Sequence, residues 1–244
     1  MTQLLKGLND YLKGHQLMVS EKWFKWLLLP GFISALLFPI LLYVFYIFLT
    51  PQAWLPLWLQ GYFGASIQVI ASILFTVISC WALQPLLMIL LSPIFGLLAE
   101  KVELKLYGIE PTPFKVHLLI LDLFRGILMV ALITASMLSF LLLFWGLSFI
   151  PVIGFIFASF AIPMIQMYFA GMGFADPALE RRRFGIRARW GFCWKNRFRI
   201  LGLGAGYILL SMIPFIGWFI APGYALIASS VGITELIHST QSEK

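Results

Sequence analysis

The chain reads as an all-α integral membrane protein: one membrane domain over residues 1–244, with an N-terminal interfacial amphipathic helix, two long transmembrane helices and two helical hairpins. Three observations point there. Hydrophobic residues make up 61% of the chain and charged residues only 11%, against roughly 25% charged in soluble domains. Two apolar runs, 26–49 and 67–91, are long enough at about 1.5 Å per residue to cross a hydrocarbon layer of about 30 Å. A Pro–Gly turn core, I-P-x-I-G, occurs at Ile150 and again at Ile213, each time between apolar arms.

Residues 2–23 set Leu4, Leu8, Tyr11 or Leu12, and Met18 or Val19 at helical spacing, with Lys6, Asn9, Asp10 and Lys13 between them. This pattern predicts an amphipathic helix on the membrane surface. Trp23 and Trp26 alternate with Lys22 and Lys25 as an interfacial anchor. The run 26–49 is uncharged and predicts the first transmembrane helix, bent at Pro30 or Pro39. It starts too late, runs too long and lacks the small-residue cleavage site of a signal peptide. Residues 50–66 are uncharged and rich in Trp, Pro and Tyr, as in an interfacial loop. The second span, 67–91, carries Gln68, Gln84 and Pro85, which inside a bilayer face protein or a pathway.

At Ser92 the apolar run gives way to SPIFGLLAEKVELKLYG. Ser followed by Pro suits a helix opening, because the hydroxyl caps free amides and proline has none to leave unpaired. The second span thus continues as a helix over 93–107, and its first turn offers N–H groups beside Gly96, which has no side chain to obstruct an oxyanion. The same spacing also fits a Ser-Pro kink in one long membrane helix with a solvated charged end. Phe114 to Phe124 predicts a further interfacial helix. The two I-P-x-I-G copies then make hairpin 1 over 126–174 and hairpin 2 over 200–237. Only about 14 residues separate Arg199 from Ile213, roughly 20 Å of helix, so the second hairpin enters the membrane and returns. The arms of the first are long enough to span.

Charge sets the orientation. All 17 Lys and Arg fall before the first span, in 101–125, in 181–199 or at Lys244. The positive-inside rule puts both termini and every charged segment in the cytoplasm. The segment 180–199 carries Arg181, Arg182, Arg183, Arg187, Arg189, Lys195, Arg197 and Arg199 among interleaved aromatics, a cytoplasmic basic surface. Beside two membrane hairpins it reads first as a contact for anionic lipid headgroups and second as a collecting surface for an anion; nucleic acid is the remote reading. Cys80 and Cys193 give no disulfide framework. His15, His117 and His238 lack metal-ligand spacing, and no catalytic or nucleotide-binding motif is present, so no cofactor, metal or enzyme activity is expected. Gly202, Gly204 and Gly206 fit close helix packing rather than a dinucleotide loop.

The string PIFGLLAEKVE resembles the signature of the CysZ family of bacterial sulfate permeases, related to the etoposide-induced membrane proteins of eukaryotes. KWLLLPG (Lys25 to Gly31), FIPVIG (Phe149 to Gly154) leading to Ala175-Asp176-Pro177, and MIPFIGWFIAP (Met212 to Pro222) agree with the family in order and spacing. The resemblance implies a bacterial inner-membrane protein that passes sulfate into the cytoplasm for cysteine synthesis without ATP hydrolysis. It also implies two transmembrane helices, hemi-penetrating (re-entrant) hairpins for both copies, and assembly into oligomers. In the family, backbone amides of the GLLAE motif hold sulfate, helped by an arginine pair before the first span. Here the motif stands as Gly96, Leu97, Leu98, Ala99 and Glu100, with Ser92 ahead of it, and Phe24 and Lys25 replace the arginine pair, with Lys22 nearby. Lysine is a point charge where arginine is a planar fork, a departure that bears on sulfate specificity but not on anion attraction. The alternative is a non-transporting membrane protein that organises lipids or protein partners.

Overall fold

A computed structural model describes residues 2–49, 69–70, 73, 86, 88–90, 95–108, 116–150, 153–213 and 216–242. Every element among them is helical: α1 (Gln3–Ser20), α2 (Phe24–Leu49), α3 (95–107), α4 (Val116–Leu147), α5 (Ile153–Ile156), α6 (Ile162–Arg181), α7 (Ile186–Lys195), α8 (Arg197–Ser211) and α9 (Ile216–Ser242). A π-helical turn, Phe157–Ala161, joins α5 to α6. Most of the second predicted span, all of the loop 50–66 before it, Ser92 and Cys80 lie outside the described residues.

Two helices end in the same way. At the end of α1 the Trp23 amide donates to the Met18 carbonyl at 3.0 Å and the Lys22 amide to Val19 at 3.3 Å. At the end of α6 the Phe184 amide donates to Leu179 at 3.3 Å and the Arg183 amide to Glu180 at 2.7 Å. Both are Schellman closures, which favour glycine at the left-handed position. Here Lys22 and Arg183 occupy it, each at φ 56°.

The repeat seen in the sequence is also a repeat in structure. The Gly154 amide donates to the Ile150 carbonyl at 2.6 Å, and the Gly217 amide to Ile213 at 2.9 Å. A Cβ on Gly154 would strike the backbone of Ser148, and one on Gly217 the backbone of Leu210 and Ser211. In both copies the glycine lets the returning arm start against the end of the arm before it.

Among the described residues, three helical stretches are long and apolar enough to cross a membrane: Phe124–Leu147, Gly154–Arg181 and Phe219–Ser239. Both arms of the first hairpin therefore reach crossing length. The second hairpin is asymmetric, because α8 has 15 residues, roughly 22 Å, while α9 has 27. The short-arm reading fits α8 only. The separate interfacial helix expected up to Phe124 is absent as such: from Val116 onward it is the first part of α4, a continuous 32-residue helix. No proline interrupts this helix; of its two glycines, Gly126 is buried and Gly146 stands exposed near its end.

α8 packs on α6 and α1, and α9 packs on α1, α2, α6 and α8. Glycines allow the close approaches. A Cβ on Gly204 would strike the Met167 carbonyl, and one on Gly202 the Leu4 carbonyl with Gly7 close behind. Around these crossings Met129, Phe169, Met172, Cys193, Ile200 and Leu203 form the main buried cluster. α1 buries Gly7, Asp10, Gly14, Leu17 and Met18, so one face of the predicted interfacial helix is docked on protein. Leu5, Leu12 and Val19 stay exposed on it.

Candidate functional site

α3 follows helical arithmetic. Phe95, Leu98, Ala99 and Val102 recur at i, i+3, i+4 and i+7 and are buried, which gives the helix one inward face. Gly96 and Leu97 fall outside that face. Leu97 is exposed, and a Cβ built on Gly96 would meet nothing within 4 Å among the described residues. Charges hold the rest of the helix. Arg181 lies 2.7 Å from Glu100 and 3.3 Å from the buried Glu103, and Arg182 lies 3.0 Å from Glu103.

The α1–α2 junction is next to this helix. Trp23 packs into the cluster of Met18, Phe95 and Leu98 and into that of Leu17, Val102 and Val231. Glu21 pairs with Lys105 at 2.7 Å. Lys22 and Lys25 are exposed at this junction. The structure thus brings the two segments carrying Gly96, Leu97, Leu98, Ala99 and Glu100 on one side and Lys22 and Lys25 on the other into one region. Ser92 is outside the described residues.

The basic segment divides in two. Arg189 and Arg199 are not surface residues, each being 1% exposed. Arg189 donates to both carboxylate oxygens of Asp176 at 3.0 and 3.2 Å and to Glu180 at 3.4 Å. Arg199 donates twice to Asp10, at 2.7 Å each, and lies 3.3 Å from Glu235. Glu235 in turn accepts from Lys13 at 2.6 Å. A buried guanidinium needs such partners because an unpaired buried charge is costly. Arg181 and Arg182 are spent on α3, as described. Arg183, Arg187, Lys195 and Arg197 remain exposed.

Sequence reasoning placed Asp10 on the polar face of a surface helix, whereas it is fully buried. Its partner lies 189 positions away, and no local pattern marks such a pair. Burial pushes the Asp10 carboxyl up to about 6, against the opposing pull of Arg199. Burial likewise pushes the Cys193 thiol up to about 12, which makes it a packing residue rather than a nucleophile.

The histidines serve separate contacts. His15 Nδ1 is 2.7 Å from the Tyr224 hydroxyl. His238 stacks on Tyr107 at 4.0 Å, with Nε2 3.3 Å from Arg182 Nη2. Among the described residues no group of three His, Cys, Asp or Glu could hold a metal. The arrangement is one of helices with crossing length, a motif helix locked on one face and open on the other, and cations beside it.

Among curated proteins, none matches the chain at the level taken as significant. The family model described as "Sulfate transporter CysZ/Etoposide-induced protein 2.4" matches residues 10–222, which takes in the α1–α2 junction, α3 and both hairpin turns, and the chain belongs to that family of membrane proteins.

Proposed function

We propose that this protein is a permease mediating uptake of sulfate or a similar small oxyanion into the cytoplasm without ATP hydrolysis. In this reading it sits in a bacterial inner membrane with both termini cytoplasmic, and assembles as a homo-oligomer. The amides of Gly96, Leu97 and Leu98 bind the anion, Lys25 and Lys22 add positive charge, and Ser92, Ala99 and Glu100 support the helix start.

The observation that carries the reading is the open approach at Gly96, on a helix otherwise fixed by Phe95, Leu98, Ala99 and Val102 and by the Glu100 and Glu103 pairs. Backbone N–H groups at a helix start carry partial positive charge and point at an incoming anion. An open glycine lets the anion reach them, and a rigid helix needs little reordering to bind it. Family membership selects sulfate as the first substrate to test. The non-transporting alternative, organising lipids or partners, draws on the exposed cations and aromatics of α7 and α8.

The test is uptake of radiolabelled sulfate into proteoliposomes by the native chain and by Lys25→Glu. Saturable uptake that falls about tenfold on charge reversal supports the permease reading. No uptake above empty liposomes, with protein that elutes and melts as native, removes it for sulfate.

A further inference from the structure

Trp194 and Phe198 are large apolar side chains left 65% and 55% exposed. The guanidinium carbon of Arg197 lies 5.6 Å from the Trp194 ring centroid and 5.2 Å from that of Phe198. Lys195 is exposed beside them. Arg197 and Lys195 have no carboxylate partner among the described residues, and the sequence holds no Asp or Glu between Glu180 and Glu235. The patch is therefore cationic and aromatic, with no carboxylate among the described residues to neutralise it.

Its level along the membrane normal follows from its neighbours. The Trp194 ring stands edge-on to Tyr168 at 6.5 Å, and Tyr168 belongs to the apolar stretch Gly154–Arg181. That stretch has 28 residues, roughly 42 Å of helix, more than the roughly 30 Å of hydrocarbon. Its charged end, with the Asp176–Arg189 pair and Arg181, belongs outside the hydrocarbon. The boundary then falls near Gly173, a little over one turn past Tyr168, so the Tyr168 and Trp194 rings lie in the zone that such rings prefer. Trp194, Lys195, Arg197 and Phe198 share that level, and Arg187 rises from the same exposed face of α7.

We infer that Trp194, Lys195, Arg197 and Phe198 form a docking site for an anionic phospholipid of the adjoining leaflet. The two rings enter the boundary between acyl chains and headgroups, and the two cations hold the phosphate. Arg197, ordered between the rings, loses little side-chain freedom on binding. The site lies on α7 and α8, away from α3, and does not depend on what the chain transports.

The test uses the full chain in detergent and native mass spectrometry to compare retained phosphatidylglycerol with retained phosphatidylcholine. The native protein should prefer phosphatidylglycerol, and raising the ionic strength before transfer should weaken that preference. Lys195→Gln with Arg197→Gln should lower it by about tenfold, while Lys195→Arg with Arg197→Lys keeps it. Trp194→Ala with Phe198→Ala should lower retention of both lipids. A native preference that salt does not weaken, or one that survives removal of both charges, overturns the site. So does displacement of phosphatidylglycerol from the native protein by a short oligonucleotide. Size-exclusion elution and circular dichroism show that each variant compared is folded; should the glutamine pair fail to fold, the salt response of the native chain decides alone.

Discussion

Gly204 and Gly96 are both helical glycines of one membrane chain, with opposite surroundings. At Gly204 a single added carbon would strike the Met167 carbonyl and lie 2.8 Å from the Gly171 amide. At Gly96 it would meet nothing within 4 Å. The first is glycine because α6 and α8 cross there backbone to backbone. At the second, no described neighbour requires a missing side chain, which is the openness that the proposed anion site uses. The same division runs through whole helices: most residues of the span Phe219–Ser239 in α9 are buried inside the chain, and few of the span Phe124–Leu147 in α4 are. The apolar residues of α9 are used against protein, and most of those of α4 stay uncovered among the described residues.

The closed region should break easily. The largest effect is expected at Arg199→Ala, which strands a fully buried Asp10 and costs about 3–5 kcal/mol, read from unfolding in detergent. Asp10 already has a raised folded pKa, so its contribution to stability is fully present below the ordinary carboxylate range and declines as pH rises through about 6. Without Arg199 that decline should be steeper, so the variant recovers on acidification more than the native chain does. An unfolding curve with no such pH response would contradict the assigned pairing. Gly204→Ala should come next, at about 2–3 kcal/mol from forced separation of α6 and α8; a native midpoint would mean that the crossing is looser than described.

At the opposite end of the scale, Lys22→Gly relieves a non-glycine residue held at φ 56°. It should hold or raise stability by less than about 1 kcal/mol while weakening sulfate uptake. Equal uptake by Lys22→Gly and native protein would take Lys22 out of the anion site. Arg183→Gly, at the matching closure of α6, should show the same small gain in stability.

Much of the fold was legible because it rests on local rules. Run length marks α2, Pro and Gly three apart mark both hairpin turns, and Gly202, Gly204 and Gly206 mark a close crossing, while most of the predicted span 67–91 lies outside the described residues. The length of α4 was not legible, since nothing between Val116 and Gly126 announces that one helix runs through. The buried pairs were hidden for a different reason. Arg187 and Arg189 lie two positions apart, so a helix must turn them to different faces; the sequence says that one can point inward but not which. Asp10 with Arg199 is a long-range pairing without a local trace. Of the proposed anion site, the motif helix was readable, whereas its inward face, continuing to Val102, and its juxtaposition with the α1–α2 junction required the packing around Phe95, Leu98 and Trp23.

The most direct test of the open glycine is Gly96→Trp, assayed for stability in detergent and for sulfate uptake in proteoliposomes. Space at residue 96 predicts unfolding within about 1 kcal/mol of native together with loss of saturable uptake, because the indole covers the approach to the amides. A well-folded Gly96→Trp that takes up sulfate at the native rate would contradict the assignment of the anion site to this helix.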